Sequence, residues 1–347
     1  MRSHRSARVC RAAIVAAVLL LDPWTGGATA QLPASPHFTL ERIADGVYAA
    51  IHKTGGSAIC NAGIINLGSA TIIFDTFLTP AAARDLRAAA ETLTSSPIRY
   101  VINSHFHNDH IRGNQVFRPG ADIISTTGTL AAIATEEPRQ LAEEQHEAPQ
   151  QLADITAALA RETDAKKKND LLTWQAYFRA LAESHDSVVT TLPTISVEGR
   201  MVLHGSHRTV ELIALEKGHT GSDLILYLPN EKIVFTGDIV SAQTHPWLGD
   251  GFPETWIADL GQLLAMPVET VVSGHGPVGD IEDISTMIRY IQTTDRLART
   301  ALAARKSEKD LASISIPPEY AGWALGRFFA ENLRFLYNRA KASTRGK

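Results

Sequence analysis

One short segment, residues 104–110, constrains the fold of this chain more than any other. It reads Ser-His-Phe-His-Asn-Asp-His and follows an apolar run that is typical of a buried β-strand. His105 and His107 stand two residues apart, and a short turn then leads to Asp109 and His110. One loop therefore offers ligands towards two points in space. Because imidazole nitrogen and carboxylate oxygen suit zinc and related divalent ions, we predict a metal site at the end of this strand.

Two ligands on each side do not complete a tetrahedral site, so further ligands must come from distant parts of the chain. Three candidates follow strand-like runs, and each has a glycine beside it, which permits a tight turn and a close approach to an ion. They are His219, Asp238 and His275. The complete set of predicted ligands is His105, His107, Asp109, His110, His219, Asp238 and His275.

Two other side chains, those of Asp75 and Cys60, are of types that can take part in chemistry. Asp75 ends an apolar run, and a carboxylate there can accept a proton from a metal-bound imidazole and so fix its tautomer. The alternative is that Asp75 only shapes a turn or a helix start. Cys60 is expected to be a small buried apolar residue rather than a nucleophile.

Residues 1–30 have the composition of a secretory signal peptide. Four arginines precede a short apolar run, and Ala28-Thr29-Ala30 places small residues at positions −3 and −1 of a cleavage site. The apolar run, residues 12–21, is too short to cross a hydrocarbon core of about 30 Å. We predict export to the periplasm with cleavage near Ala30 and no stable membrane insertion of the mature chain. An uncleaved membrane anchor is the alternative.

The charge of the chain excludes one class of partner. The formal net charge is −4, and residues 1–30 carry four Arg and one Asp, so their removal changes the net charge by −3, to −7. An acidic chain of this kind is a poor partner for nucleic acid, and we expect a small-molecule substrate instead. The sequence does not indicate an oligomeric state.

The order of strand-like and helix-like segments predicts an α/β protein built from two half-units, each a sheet with helices on its outer face. Residues 31–347 are interpreted as one domain. Thr79 and Pro80 are a capping residue and a first-turn proline, which predicts that a helix begins there.

A segment of different character, about residues 128–185, interrupts the strand pattern. It is rich in Ala, Glu, Gln and Lys and predicts a helical insertion, with one helix starting at Pro149 and a second carrying Trp174. The insertion lies between His110 and His219, so it must leave the metal site and return to it. It is therefore placed to wall or cover the site. The alternative is a structural or dimer-forming helical pair.

The ligand pattern resembles that of the metallo-β-lactamase-fold superfamily. Its motif is His-x-His-x-Asp-His, followed by a His, an Asp after Gly, and a His in a Gly-His-Gly turn. The resemblance runs from about Val47 to Gly279. Residues 97–105 and 111–114 are similar to stretches of a broad group of periplasmic metallo-hydrolases within it. This resemblance implies a four-layer αβ/βα sandwich with the metals at one edge of the sheets.

The resemblance also implies roles for the ligands. One metal would be held by His105, His107 and His219, the other by Asp109, His110 and His275, and Asp238 would bridge them. Two zinc ions per chain are expected, with iron or manganese as alternatives. A metal-bound hydroxide would attack an acyl carbon, and Asp109 would be catalytic by orienting that hydroxide.

Four activities are compatible with this pattern. Hydrolysis of an ester, thioester or lactone is favoured by the complete ligand set including Asp238. Export favours a class B β-lactamase, but members of that class commonly use Cys where Asp238 stands or leave the position unused. A nuclease or phosphodiesterase is disfavoured by export and negative charge. A zinc-binding interaction protein without catalysis would be expected to have lost ligands, and none is lost here.

Overall fold

Two β-sheets form the centre of the structure, a computed structural model that describes residues 31–345. The predicted signal peptide lies outside the described residues. The first sheet has seven strands in chain order: β1 (Phe38–Ala44), β2 (Val47–His52), β3 (Ala62–Asn66), β4 (Thr71–Phe74), β5 (Ile98–Ile102), β6 (Asp122–Thr126) and β7 (Ile195–Val197). Strands β1 to β4 pair antiparallel, and β4 to β7 pair parallel.

The second sheet has five strands: β8 (Arg200–His204), β9 (Thr209–Leu215), β10 (Asp223–Leu228), β11 (Ile233–Ser241) and β12 (Thr270–His275). Their spatial order is β12-β11-β10-β9-β8. Only the β11–β12 pair is parallel among these described strands. The carboxyl ends of β11 and β12 therefore lie side by side, which brings the residues after them to one edge of the sheet.

Eight α-helices accompany the sheets in the described part of the chain. They are α1 (Pro80–Thr94), α2 (Asn108–Ile111), α3 (Asn114–Phe117), α4 (Thr127–Leu159), α5 (Ala165–Ser184), α6 (Pro253–Leu264), α7 (Ile281–Ala303) and α8 (Arg327–Arg345). Helix α1 begins where the sequence predicted, and the Thr79 hydroxyl accepts a hydrogen bond from the Ala82 backbone N–H at 3.2 Å. No helix within residues 31–345 is long and apolar enough to cross a bilayer.

The main core lies between the two sheets. The rings of Phe74 on β4 and Phe235 on β11 pack with their centroids 5.7 Å apart, and both side chains are buried. A second apolar layer lies between the second sheet and the helices α6 to α8, where Trp256, Tyr290 and Leu333 are fully buried. Two central sheets with helices outside them form the αβ/βα sandwich that the resemblance implied.

The helical insertion consists of α4 and α5, but the predicted start of its first helix at Pro149 is wrong. Helix α4 begins at Thr127, its N-cap Thr126 accepts a hydrogen bond from the Thr129 N–H, and Pro138 and Pro149 lie inside it. An internal proline removes one backbone hydrogen bond and distorts a helix, which is why the sequence suggested a boundary. Packing along the helix compensates, since Ala148 near the second proline is buried against α5.

Candidate metal centre

The predicted ligands converge at one edge of the sandwich, where several strands end. His105 and His107 lie in the loop after β5, and Asp109 and His110 lie on the short helix α2. His219 lies in the loop between β9 and β10, Asp238 lies within β11, and His275 ends β12. The seven residues are up to 170 positions apart in the sequence. They meet at one edge of the sandwich because strands of both sheets end there.

One group of ligand atoms belongs to His105, His107, His219 and Asp238, and these atoms all lie within 4.8 Å of one another. His107 Nδ1 and His219 Nε2 are 3.0 Å apart, and His219 Nε2 is 3.6 Å from Asp238 Oδ2. Three imidazoles and one carboxylate are a donor set that suits a tetrahedral divalent ion such as zinc.

A second group is formed by His110, Asp238 and His275. His110 Nε2 lies 3.2 Å from Asp238 Oδ1, and His275 Nε2 lies 3.3 Å from Asp238 Oδ2. Asp109 joins this group, because its Oδ2 is 3.4 Å from His275 Nε2 and 3.6 Å from His110 Nε2. Asp238 is the member that both groups share.

The chemistry of the unpaired atoms fits a bound cation. His105 Nε2, His110 Nε2 and Asp238 Oδ1 are buried and have no hydrogen-bond partner among the described residues. Burying such groups unpaired is costly, and a cation between them would remove the cost. Burial and the neighbouring histidines hold the pKa of His105 well below its usual value, and burial foremost lowers the pKa of His219 to about 3. Both are therefore neutral at pH 7, the form that binds metal.

Asp75 orients two of the imidazoles. Its Oδ2 accepts a hydrogen bond from His110 Nδ1 at 2.7 Å, and the Ser104 hydroxyl also donates to it at 2.7 Å. Since the Ser104 proton is used in this way, His105 Nδ1 donates to the Ser104 oxygen, 2.9 Å away. These contacts assign the proton to Nδ1 of both rings and leave each Nε2 free to face the metal groups.

Asp250 makes the corresponding contact with His107, although no pattern in the sequence marks it as a site residue. Its Oδ2 lies 3.1 Å from His107 Nε2 and accepts a hydrogen bond from Trp247 Nε1 at 2.8 Å. These contacts, the bond with His107 first, lower the pKa of Asp250 to about 2 despite partial burial. Its only local signal is the flanking glycines of the turn before α6, which does not point to His107, 143 residues away.

His52 and Cys60 also lie beside the site. The His52 ring lies 5.9 Å from that of His275, and burial foremost lowers the pKa of His52 to about 4. Cys60 is fully buried as expected, and its thiol donates to the Asp109 carbonyl at 2.8 Å. Burial raises the pKa of Cys60 to about 12, so it is not a nucleophile at neutral pH.

The insertion packs directly on the loop that carries the ligands. Arg112, at the end of α2, forms buried ion pairs with Glu137 and Glu144 of α4, each at 2.7 Å. Asn108 donates to Glu144 and to the hydroxyl of Tyr177 on α5. Helices α4 and α5 therefore hold in place the loop and the short helix α2 that carry four of the predicted ligands.

A cavity of about 1000 Å³ opens over the ligands. Asp109, Asp238 and His275 line one part of it, and residues of α4, α5 and the segment leading into α8 line the rest. Aromatic side chains that line it include Phe106, Trp174, Tyr177, Trp247, Phe252 and Phe328. A cavity of this size and lining accommodates a small molecule with a substantial apolar part.

Comparison with known proteins places this geometry in a family. A profile described as the metallo-beta-lactamase superfamily matches residues 55–275. A linear primary-alkylsulfatase from Pseudomonas sp. is 23% identical over 296 residues, which cover 79% of this chain and 52% of that protein. A hydroxyacylglutathione hydrolase from Brucella anthropi is 37% identical over 92 residues, or 26% of this chain and 33% of that protein. The chain thus spans about half the length of the first relative and a third of the second.

A solved structure shares the fold. A metallo-beta-lactamase from Pontibacter korlensis superposes with a TM-score of 0.53 at 17% sequence identity, covering 74% of this chain and 99% of that chain. The superfamily profile matches more than half of the 347 residues and ends at the last predicted ligand, His275. This chain therefore belongs to the metallo-β-lactamase superfamily.

Proposed function

We propose that this chain is an exported hydrolase that binds two zinc ions and cleaves an ester, thioester or lactone. The observation that carries the proposal is the pair of ligand groups that share Asp238. His105, His107 and His219 would hold one ion, and Asp109, His110 and His275 the other. Iron or manganese is the alternative content, because the same nitrogen and oxygen donors serve those metals.

Bound zinc supplies a Lewis acid and lowers the pKa of a water molecule to about 7. The protein's own contribution is geometric. Asp75, directly and through Ser104, keeps the rings of His110 and His105 in the tautomer whose Nε2 faces the other predicted ligands. Asp109 Oδ2 lies beside His275 at the cavity wall, where its carboxylate would hold one ion and orient the attacking oxygen. No protein nucleophile is needed.

Two other hydrolytic activities are distinguished by specific observations. The similarity to an alkylsulfatase over 79% of this chain supports sulfate ester hydrolysis as a second candidate. The cavity lining gives it less support, since its arginine side chains are already paired with carboxylates. β-Lactam hydrolysis is less favoured, because an Asp shared by both groups replaces the Cys common in that class.

A substrate panel tests the proposal. Protein purified without chelators should contain about two divalent ions per chain and should cleave at least one of a neutral ester, a thioester and a lactone faster than an alkyl sulfate or a β-lactam. His105→Ala should lose most activity and metal, whereas His146→Ala, outside both ligand groups, should lose neither. Protein without stoichiometric metal, or with full activity after His105→Ala, would contradict the proposal.

Export is a separate proposal. N-terminal sequencing of protein from a periplasmic extract should begin at Gln31. Soluble cytoplasmic protein that retains Met1 would contradict it.

A further inference from the structure

The cavity contains a continuous row of aromatic rings that begins beside the metal ligands. Trp247 donates a hydrogen bond to Asp250, which also contacts His107. The ring of Phe328 packs on Trp247 with centroids 5.4 Å apart, and Trp174 packs on Phe328 at 5.3 Å. Three rings from three distant segments thus form one apolar surface, which we call the aromatic row. Each ring is only partly buried, so the row faces the cavity.

The charges around this row disfavour an anion. Arg139 and Arg327 are the only arginine or lysine residues that line the cavity in the described part of the chain. Arg139 is paired with Glu136 and Glu143, each at 2.7 Å. Arg327 is paired with Glu331 at 2.8 Å, and its guanidinium lies 5.0 Å from the centre of the Trp174 ring.

Carboxylates outnumber the arginines on this lining. Apart from the predicted metal ligands, the acidic residues that line the cavity are Glu136, Glu143, Asp250 and Glu331, against two arginines. A negative group on the substrate would have to break an existing ion pair and face this excess of negative charge. An uncharged apolar group would instead bury its surface against aromatic rings.

We propose that the aromatic row of Trp174, Trp247 and Phe328 binds the uncharged, apolar end of the substrate and selects neutral acyl compounds over those with an anionic end. This inference rests on the proposed hydrolase function and deepens it, because it names the substrate class. It separates the chain from a hydrolase whose substrate carries a carboxylate at the end away from the reacting bond. Trp247 and Phe328 act here as specificity-determining residues.

Two esters of the same chain length test the selectivity between neutral and anionic acyl groups. The p-nitrophenyl ester of hexanoate and the p-nitrophenyl half-ester of adipate differ only by a methyl or a carboxylate at the far end. The zinc-loaded wild-type protein should prefer hexanoate by at least about 30-fold in kcat/KM, since an unpaired charge is costly to desolvate. Equal kcat/KM values for the two esters would overturn the proposal.

A variant that removes one negative charge from the cavity should change the preference between the two esters, which a purely structural change would not do. Glu331→Gln releases Arg327, so it should raise kcat/KM for the adipate half-ester about tenfold relative to kcat/KM for hexanoate. The matched control is Glu91→Gln, which breaks an equivalent i,i+4 pair with Arg87 away from the cavity and should change neither. No gain on the adipate half-ester in Glu331→Gln would count against the proposed charge selection.

The binding of a ligand that cannot react tests the aromatic row independently of the proposed hydrolysis. Hexanophenone, a neutral ketone that cannot be hydrolysed, should bind about tenfold more weakly to Phe328→Ala than to wild type, as followed by tryptophan fluorescence. Phe335→Ala on the same helix, which does not line the cavity, should bind it like wild type. If no ester is cleaved but this difference is found, only the proposed reaction fails. If Phe328→Ala binds the ketone normally, the aromatic row is not the subsite.

Discussion

Replacing Gly274 with alanine adds a single methyl group beside the carboxylate that both ligand groups share. A Cβ atom at this position would lie 1.9 Å from Asp238 Oδ1 and 2.8 Å from the carbonyl carbon of Gly237. The backbone of Gly274 is not in the left-handed region, so alanine is conformationally acceptable there. The substitution therefore tests close approach alone.

The geometry sets the size of the effect. Ordinary contact with a Cβ begins at 3.4 Å, so Asp238 Oδ1 would have to retreat by about 1.5 Å, the difference between 3.4 and 1.9 Å. Metal–ligand distances tolerate deviations of only about 0.2 Å. A displaced Asp238 cannot serve either group, and we expect metal affinity to fall at least about 100-fold, which corresponds to about 2.7 kcal/mol.

Three measurements check this expectation. Dialysis against a buffered zinc chelator followed by elemental analysis gives the metal content, ester hydrolysis gives the activity, and thermal melting of the metal-free protein shows whether the fold persists. Gly261→Ala on α6 is the matched control, because a Cβ there meets nothing within 4 Å. It should keep metal and activity and stabilise the protein by about 0.5–1 kcal/mol. If Gly274→Ala retained two metals and wild-type turnover, Asp238 would not bridge them.

Four other predictions follow from the same contacts. Asp250→Asn should weaken metal binding about 10–100-fold in a chelator titration, because His107 loses the carboxylate that orients it; an unchanged affinity would contradict that role. Asp109→Asn should reduce kcat about 100-fold or more while elemental analysis still finds metal, and near-full turnover would refute its catalytic assignment. Glu137→Gln should lower the free energy of unfolding by about 3 kcal/mol in urea titrations, because Arg112 stays buried with Glu144 as its only charged partner. Glu143→Gln, which breaks an exposed pair with Arg139, should lower it by less than about 0.5 kcal/mol. Burial is the main reason why the pKa of His245 falls from 6.5 to about 4, so the unfolded chain takes up this proton at a higher pH than the folded chain. The free energy of unfolding should therefore decrease by about 3 kcal/mol between pH 6.5 and pH 4 because of this group. His245→Gln should remove this contribution to the pH dependence.

The sequence alone was sufficient for the fold and for the set of side chains that meet at one edge of it. Residues 104–110 place three His and one Asp, all of metal-ligand type, in one segment, and a strand-like run with a Gly beside a predicted ligand recurs near His219, Asp238 and His275. Such signals are local: they depend on spacing and on a glycine that allows the backbone to turn. Local patterns also predicted α1 and the helical character of the insertion, while Pro149 was misread because buried packing, which no local pattern records, holds α4 together.

Only the tertiary structure decided which other residues surround the ligands. Asp250, His52 and the aromatic row carry no local signature, since an Asp in a turn or a Trp in a helix is common in any protein. Their meaning comes from side-chain contacts between segments that are 81 or more residues apart, such as Trp247 with Phe328 and Asp250 with His107. Such contacts depend on how layers pack and where loops return, which is set by the sum of many weak interactions along the whole chain. The sequence therefore determined which side chains of metal-ligand type meet at one edge of the sheets, and the packed fold determined their partners and the shape and charge of the cavity beside them.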